Sequence, residues 1–261
     1  MSLLEALAIA AAGMAAGTIN TIVGSGTLVT FPTLLFFGYA PVSANVSNSL
    51  GLVAGGVSGA WGYRREMVGL RSTLLKLVPA SLAGGILGAL LLLVLPESAF
   101  ETIVPILIAL ALVLVVTGPS LNRWAAKRRS AAGVDDVSDG LSPARWTMLV
   151  LGVLGGGVYG GYFGAAQGVL LIGVMGVLLP LRLQQINGVK NVLTLLVNLV
   201  AALVFLVVQP EQINWVVVGL IAAGSTVGGL LGARIGTRMP PWLLRGVIIT
   251  IGIIAIVVLL R

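Results

Sequence analysis

The stretch INTIVGSGTLVTFP, residues 19–32, interrupts an apolar segment that is otherwise long enough to cross a membrane. It collects helix-breaking and short polar residues at one point, namely Asn20, Thr21, Gly24, Ser25, Gly26, Thr27, Thr30 and Pro32. As one straight helix, the surrounding segment 3–37 would be about 50 Å long, whereas the hydrocarbon core of a bilayer is about 30 Å thick. The sequence therefore predicts two shorter helices joined by irregular backbone.

A second overlong apolar segment, residues 146–180, contains the glycine-rich break GGGVYGGYFGAAQG at residues 155–168. The remaining apolar segments have the length of single spans, and they are 43–63, 72–95, 99–117, 186–208, 213–234 and 242–260. The chain is 58% hydrophobic and only 9% charged, which is far too apolar for an ordinary soluble domain. The predicted fold class is an all-α polytopic membrane protein that lies in a lipid bilayer.

Similar sequences recur in the same order in the two halves of the chain. The recurring pairs are AGGILGA (83–89) with VGGLLGA (227–233), and SANVSNSLG (43–51) with QINGVKNVL (185–193). We therefore predict a first repeat over residues 1–117, a linker over 118–145 and a second repeat over 146–261. Each repeat contains one broken segment followed by three transmembrane helices.

The charges of the loops predict how these segments are oriented. Basic residues favour the cytoplasmic side, and they cluster in the linker and near the end of the second repeat as Arg123, Lys127, Arg128, Arg129, Arg234, Arg238 and Arg245. Glu97, Glu101 and Glu211 mark the opposite side. This pattern requires two inverted repeats, in which each broken segment is a re-entrant helix pair that enters and leaves on one side. Both termini are then non-cytoplasmic and the linker is cytoplasmic.

The breaks are candidates for a binding site, because irregular backbone at membrane depth is tolerated only inside protein or beside a wet cavity. Half-helices that begin near Ser25–Thr27 and near Gln167–Gly168 would direct free N–H groups and positive dipole ends at the breaks, which suits an anion. We expect Ser25, Gly26 and Thr27 to face Gln167 and Gly168 across a polar cavity near mid-membrane. The small residues are also compatible with close helix packing alone.

The helix that follows each break carries further polar residues, including the cation Lys190 in the first turns of the predicted span 186–208. Lys190 either snorkels to the cytoplasmic interface or contacts the anion. The spacing places Asn187 on the same helix face as Lys190 and turns Asn191 towards a neighbouring helix. The complete candidate substrate-binding set is Asn20, Ser25, Gly26, Thr27, Asn45, Asn48, Gln167, Gly168, Asn187, Lys190 and Asn191.

Other function classes have little support in the composition. The chain has no cysteine and no histidine, and no acidic residue lies clearly within a span, so we predict no enzyme activity, no metal site and no cofactor. The basic residues follow the positive-inside pattern, so nucleic-acid binding is not predicted. A Walker-type phosphate loop is missing. A secondary transporter, an anion channel and a purely structural membrane protein remain open, as does the oligomeric state.

Two stretches resemble the sulfite exporter TauE/SafE family of membrane permeases. They are GTINTIVGSGTLVTFPTLLFFGYAPVSANVSNSLG and GGGVYGGYFGAAQGVLLIGVMGVLLPLRLQQINGVKNVL, and the similarity of pattern covers nearly the whole chain. The resemblance implies a secondary transporter that exports small sulfur anions, such as sulfite, thiosulfate or organosulfonates, across the bacterial inner membrane. The residues by themselves favour only a transporter, with an anion as the solute that best suits the helix ends.

Overall fold

The computed structural model of the protein describes residues 1–131 and 141–235, together with 249–250 and 253. The longer described elements are α1 (Leu3–Ile22), α2 (Thr27–Phe36), α3 (Pro41–Gly62), α4 (Arg71–Val94), α5 (Glu97–Ala131), α6 (Pro143–Tyr162), α7 (Gln167–Leu178), α8 (Leu183–Val208) and α9 (Trp215–Ile235). Short 3-10 helices cover Arg64–Met67 and Pro210–Gln212. The all-α prediction is confirmed, while the predicted span 242–260 lies almost entirely outside the described residues.

Four of the described helices, α1, α4, α8 and α9, are long and apolar enough to cross a membrane. Helix α3 has 22 residues and is comparably long, but several of its residues are asparagine or serine. Helix α5 continues to Ala131, beyond residue 117 where the sequence predicted that its span ends. The extension is rich in alanine, lysine and arginine, which favour helix even where the apolar character ends.

Both overlong segments are broken. Helix α1 ends at Ile22 and α2 begins at Thr27, while α6 ends at Tyr162 and α7 begins at Gln167. Gly24 and Gly164 have φ angles of 86° and 77° in the two breaks. Only glycine adopts this left-handed region at little cost in free energy. The chain therefore changes direction at Gly24 in the first break and at Gly164 in the second.

The chain returns along itself after each break. Tyr39 follows α2 directly, and its hydroxyl donates to Glu5 Oε1 at 2.8 Å, so the end of α2 lies beside the beginning of α1. Helix α7 likewise runs back along α6, as the contacting pairs Gly160 with Gln167 and Gly152 with Val174 indicate. We call α1–α2 the first hairpin and α6–α7 the second hairpin, and we call their breaks the hairpin tips.

The long helices fall into two groups that run in opposite directions. Helices α1, α3 and α9 are parallel, with the contacts Gly13 to Ile221, Gly17 to Ser225, Gly51 to Ile221 and Gly55 to Ser225. Helices α4, α6 and α8 are also parallel, with the contacts Gly84 to Leu154, Gly88 to Val158 and Gly85 to Val197. The pairs Gly56 with Leu195 and Gly188 with Tyr63 show that α3 and α8 are antiparallel. Glycine allows these close backbone approaches.

The interior around the hairpins is filled by buried apolar side chains. A cluster of aromatic rings lies against the second tip, where the ring centroids of Phe31 and Phe163 are 5.1 Å apart and those of Phe31 and Phe100 are 6.3 Å apart. Both pairs meet edge to face, an arrangement that adds about 0.5–1.5 kcal/mol to the burial of the rings. All three rings are almost completely buried, so this cluster anchors α2 and α5 to the second hairpin.

Candidate functional site

The two hairpin tips touch each other. The backbone N–H of Gly168 donates to the carbonyl oxygen of Gly24 at 3.0 Å, and a Cβ atom on either residue would overlap the other backbone. Gly164 lies beside Thr27, since a Cβ on Gly164 would be 3.9 Å from Thr27 Oγ1. Gly24 and Gly168 are therefore in direct backbone contact, because neither residue has a side chain.

Gly26 also has a packing function that the sequence did not reveal. A Cβ on Gly26 would overlap the carbonyl oxygen of Ala16 and lie 3.0 Å from Asn20 Cβ. The side chain of Asn20 caps the same turn, as its Oδ1 accepts from Gly26 N at 3.5 Å. The missing side chain of Gly26 therefore lets α2 begin close against α1.

Lys190 points into the protein and does not snorkel. Its side chain is 0% exposed, and Nζ donates to the carbonyl oxygens of Asn20 at 2.9 Å and Thr21 at 3.1 Å. Asn191 Nδ2 donates to the same Thr21 oxygen at 3.2 Å, so Asn191 turns to a neighbouring helix as its spacing predicted. The last carbonyls of a helix lack partners within that helix. Helix α8 thus caps the C-terminal end of α1.

Helix α3 caps the second hairpin in a similar way. Asn45 Nδ2 donates to the carbonyl oxygen of Tyr162, the last residue of α6, at 3.0 Å. Asn48 instead binds the first turn of α2, where it accepts from the hydroxyl of Thr30 and donates to Thr27 Oγ1 at 3.2 Å. Both amides hold the hairpins in place, so Asn48 and Thr27 already use their polar side-chain atoms within the protein.

Other candidate residues have buried polar atoms without a partner among the described residues. These atoms are Ser25 Oγ, both amide atoms of Gln167, Asn187 Oδ1 and Asn45 Oδ1. A buried polar atom without a hydrogen bond costs about 1–3 kcal/mol, and such atoms in a native protein call for an explanation such as a bound ligand or water. Ser25, Gln167 and Asn187 are therefore the candidate residues that are best able to bind a solute.

Three similar groups were missed by the sequence reasoning, and one of them is Gln184 Oε1 in the first turn of α8. The hydroxyls of Thr194 and Tyr162 are also buried and unpartnered within the described part of the chain. Thr194 lies four residues after Lys190, so it shares the helix face that was assigned to Asn187 and Lys190. Helical spacing was thus a signal that could have found it. Tyr162 stands inside the quoted glycine-rich break, where its hydroxyl was the available signal.

Lys190 brings an ionisable amine to the centre of the protein. Lys190 is the one charged side chain that is buried among the described residues. The N-terminal ends of α2 and α7 carry positive partial charge at the tips, and the C-terminal ends of α1 and α6 carry negative partial charge. These helix ends largely offset each other, so the charge of a protonated Lys190 remains. A protonated Lys190 can balance the charge of an anion, and the unpartnered donors can form hydrogen bonds to it.

A polytopic helical protein in which two helical hairpins meet at a buried polar centre has the architecture of a membrane transporter. The family model described as sulfite exporter TauE/SafE matches residues 9–259. The chain belongs to the sulfite exporter TauE/SafE family, as its two broken segments indicated.

Curated relatives agree with this class. A probable membrane transporter protein of Haemophilus influenzae is 30% identical over 91% of this chain and 87% of its own length. The probable membrane transporter protein YfcA of Escherichia coli is 26% identical over 87% of this chain and 77% of its own length. No solved structure matches the chain significantly. The protein is a multi-pass membrane transporter, which is consistent with the prediction that it is not an enzyme.

Proposed function

We propose that the protein is a secondary transporter that exports small sulfur-containing anions, such as sulfite, thiosulfate or organosulfonates, across the bacterial inner membrane. The observation that carries the proposal is the buried Lys190, which has no carboxylate beside it among the described residues and lies against the hairpin tips. An isolated buried ammonium is costly unless it is paired. An anion at the tips would supply the missing counter-charge, and the family to which the chain belongs favours a sulfur anion.

The binding site in this proposal lies where the two tips meet. Ser25 Oγ and Gln167 Nε2 supply unpartnered donors for the anion, whereas Asn187 Oδ1 is an acceptor that suits a bound water. The first turns of α2 and α7 supply positive dipole ends. The other residues of the candidate set position these groups. Gly26 and Gly168 allow close backbone contact, while Asn20, Asn45, Asn48 and Asn191 hold the helix ends.

We also propose that residues 1–117 and 146–261 are inverted repeats, joined by a cytoplasmic linker over 118–145. The opposite directions of corresponding helices support this arrangement. The corresponding helices of the two repeats are α1 and α6, α3 and α8, and α4 and α9. Helices α1 and α3 are parallel to α9, whereas α6 and α8 are parallel to α4. A hairpin that enters from each side lets the two tips meet at the centre of the membrane, where alternating access to both sides requires the solute to bind.

Transport by purified protein in proteoliposomes tests the function. We expect saturable uptake and counterflow of at least one of sulfite, thiosulfate and methanesulfonate. Gln167→Met keeps the length of the side chain but removes both amide atoms, so it should insert normally and bind the anion more weakly. Flux that does not saturate and shows no counterflow would identify an anion channel instead. Protein that carries none of the three anions would contradict the proposal.

Cysteine labelling tests the topology, because the chain has no native cysteine. Ser2 and Ser142 are the residues before α1 and α6, and their side chains accept from Glu5 N and Arg145 N respectively. Ser2→Cys and Ser142→Cys therefore make matched variants. A membrane-impermeant thiol reagent added outside the cell should label Ser2→Cys and leave Ser142→Cys unmodified. Labelling of both variants from the same side would contradict the inverted arrangement.

A further inference from the structure

The hydrogen bonds of Lys190 suit a neutral amine as well as they suit an ammonium. Within the described residues, Nζ has two acceptors, the carbonyl oxygens of Asn20 at 2.9 Å and Thr21 at 3.1 Å. An ammonium group has three N–H donors, whereas a neutral amine has two, which these carbonyls satisfy. A third donor has no acceptor here. It becomes useful when an acceptor such as an anion enters.

The surroundings of Lys190 supply little compensating charge. Helix α8 packs against α1, α3, α4, α6, α7 and the two 3-10 helices. The titratable residues of these elements and of the adjoining Tyr63 are Glu5, Arg64, Arg65, Glu66, Arg71, Lys76, Arg145, Tyr159, Tyr162 and Glu211. The carboxylates among them are not buried. Glu5 accepts a hydrogen bond from the Tyr39 hydroxyl at the far end of α1. Glu66 Oε2 lies 3.8 Å from Arg182 Nη2.

The C-terminal end of α1 offers Lys190 only about half an elementary negative charge. A buried ammonium at this position therefore keeps part of its positive charge uncompensated, which costs free energy. An anion bound at the hairpin tips would remove that cost. The stem of Lys190 already lies on the first turn of α7, because a Cβ on Gly168 would be 2.9 Å from Lys190 Cδ, so the amine is next to the proposed site.

We propose that Lys190 is a proton-binding site coupled to the anion site, so that each transported anion crosses together with one proton. This inference rests on the proposed anion site. The lone pair of the neutral amine accepts a proton from a hydronium ion when the anion binds, and the ammonium returns that proton to a water molecule when the anion leaves. One O–H bond breaks as the N–H bond of Nζ forms, and the reverse occurs on release.

The coupling has a consequence for the driving force. A singly charged anion carried with one proton crosses without net charge. A doubly charged anion carried with one proton moves a single negative charge, which the inside-negative potential of a bacterial membrane drives outward. The membrane potential therefore still favours export of a divalent oxyanion, but each transported anion moves one net negative charge instead of two.

Binding of thiosulfate and of methanesulfonate to the purified full-length chain tests the proposal, because neither anion itself takes up protons near neutral pH. Calorimetry in buffers with different ionisation enthalpies counts the protons taken up per bound anion. For the wild-type protein, we expect the number of protons taken up per bound anion to rise towards about one as the pH increases. The affinity for the anion should fall over the same range by up to about tenfold per pH unit.

Variants of the lysine identify the proton site. Lys190→Arg should bind the anion without proton uptake, because its guanidinium is always protonated. Lys190→Gln should bind severalfold more weakly and without uptake. Lys76→Gln makes the same exchange at an exposed position, and it should behave like the wild-type protein. If Lys190→Arg still takes up protons on binding, the assignment to Lys190 is wrong.

Proton uptake by the wild-type protein tests the coupling even if a Lys190 variant does not fold. Wild-type protein that binds an anion with no proton uptake between about pH 6 and pH 9 would overturn the coupling and leave the anion site standing. Wild-type protein that binds neither anion at any of these pH values would overturn the anion site itself. The two failures are therefore distinguishable in one experiment.

Discussion

Gly168→Ala is expected to force the two hairpin tips apart. The new Cβ would overlap Gly24 Cα, and it would lie 2.9 Å from Lys190 Cδ and 3.1 Å from Gly24 O. Carbon atoms in ordinary contact are about 3.5–4.0 Å apart, so the backbones must separate by about 1 Å or more. Overpacking of this kind costs about 1–3 kcal/mol. Loss of the hydrogen bond from Gly168 to Gly24 adds about 0.5–1.5 kcal/mol.

The matched control is Gly155→Ala, another alanine substitution in a helix of the second hairpin. A Cβ on Gly155 has no other atom within 4 Å, so this variant should keep or raise the wild-type stability, as alanine favours helix over glycine by about 1 kcal/mol. Thermal unfolding in one detergent and thiosulfate affinity are the measurements. Gly168→Ala should unfold several degrees lower, at about 2–4 °C per kcal/mol, and bind more weakly. Unfolding and affinity equal to those of Gly155→Ala would refute the reasoning.

Three further predictions concern single side chains. Ser25→Ala should unfold at the wild-type temperature or above, because Ser25 Oγ has no partner within the part of the chain that the structure describes. It should weaken anion affinity by about tenfold, since a hydrogen bond to a charged group is worth about 1.5–3 kcal/mol. Asn45→Ala should lower the free energy of unfolding in a denaturant titration by about 1–3 kcal/mol, because it leaves the Tyr162 carbonyl without its donor. Burial and the hydrogen bond to Glu5 raise the pKa of Tyr39 to about 12. The folded protein therefore binds the proton of the Tyr39 hydroxyl more tightly than the unfolded chain does. The resulting contribution to the free energy of unfolding is present below about pH 10 and is lost as the pH rises towards 12. Tyr39→Phe should therefore lose less stability at alkaline pH than the wild-type protein.

Each of these predictions has an outcome that would contradict it. Wild-type anion affinity in Ser25→Ala would remove the hydroxyl from the binding site. An unchanged denaturation midpoint in Asn45→Ala would mean that the Tyr162 carbonyl finds another donor, so that α3 does not hold the second hairpin. The same alkaline loss of stability in Tyr39→Phe and in the wild-type protein would show that other groups cause it.

The sequence alone was sufficient to predict the breaks, because their cause is local. Gly24 and Gly164 adopt backbone angles that only glycine reaches cheaply, and apolar length limits how far a helix can run in a bilayer. The sequence was less informative about α5, whose helix extends to Ala131 because helix propensity continues after hydrophobicity ends.

The particular partners of the polar residues could not be predicted from the sequence. The sequence indicates Lys190 and Asn45 as polar residues that follow the breaks, but it does not indicate their hydrogen-bond partners. These partners, Asn20 and Tyr162, are 170 and 117 positions away along the chain. No local pattern encodes such distances, since they depend on how α8 packs against α1 and α3 against α6.

The amino-acid sequence by itself determined that this protein is helical, lies in a membrane and has two broken segments with polar residues, since each property follows from composition or from a few adjacent residues. Only the tertiary structure decided which polar atoms hold the hairpins and which remain unpartnered. Ser25 and Asn48 look equally suited to bind a solute in the sequence. Asn48 is hydrogen-bonded to Thr27 and Thr30, whereas Ser25 Oγ has no partner among the described residues, because hydrogen bonding depends on which groups the packed helices bring within reach.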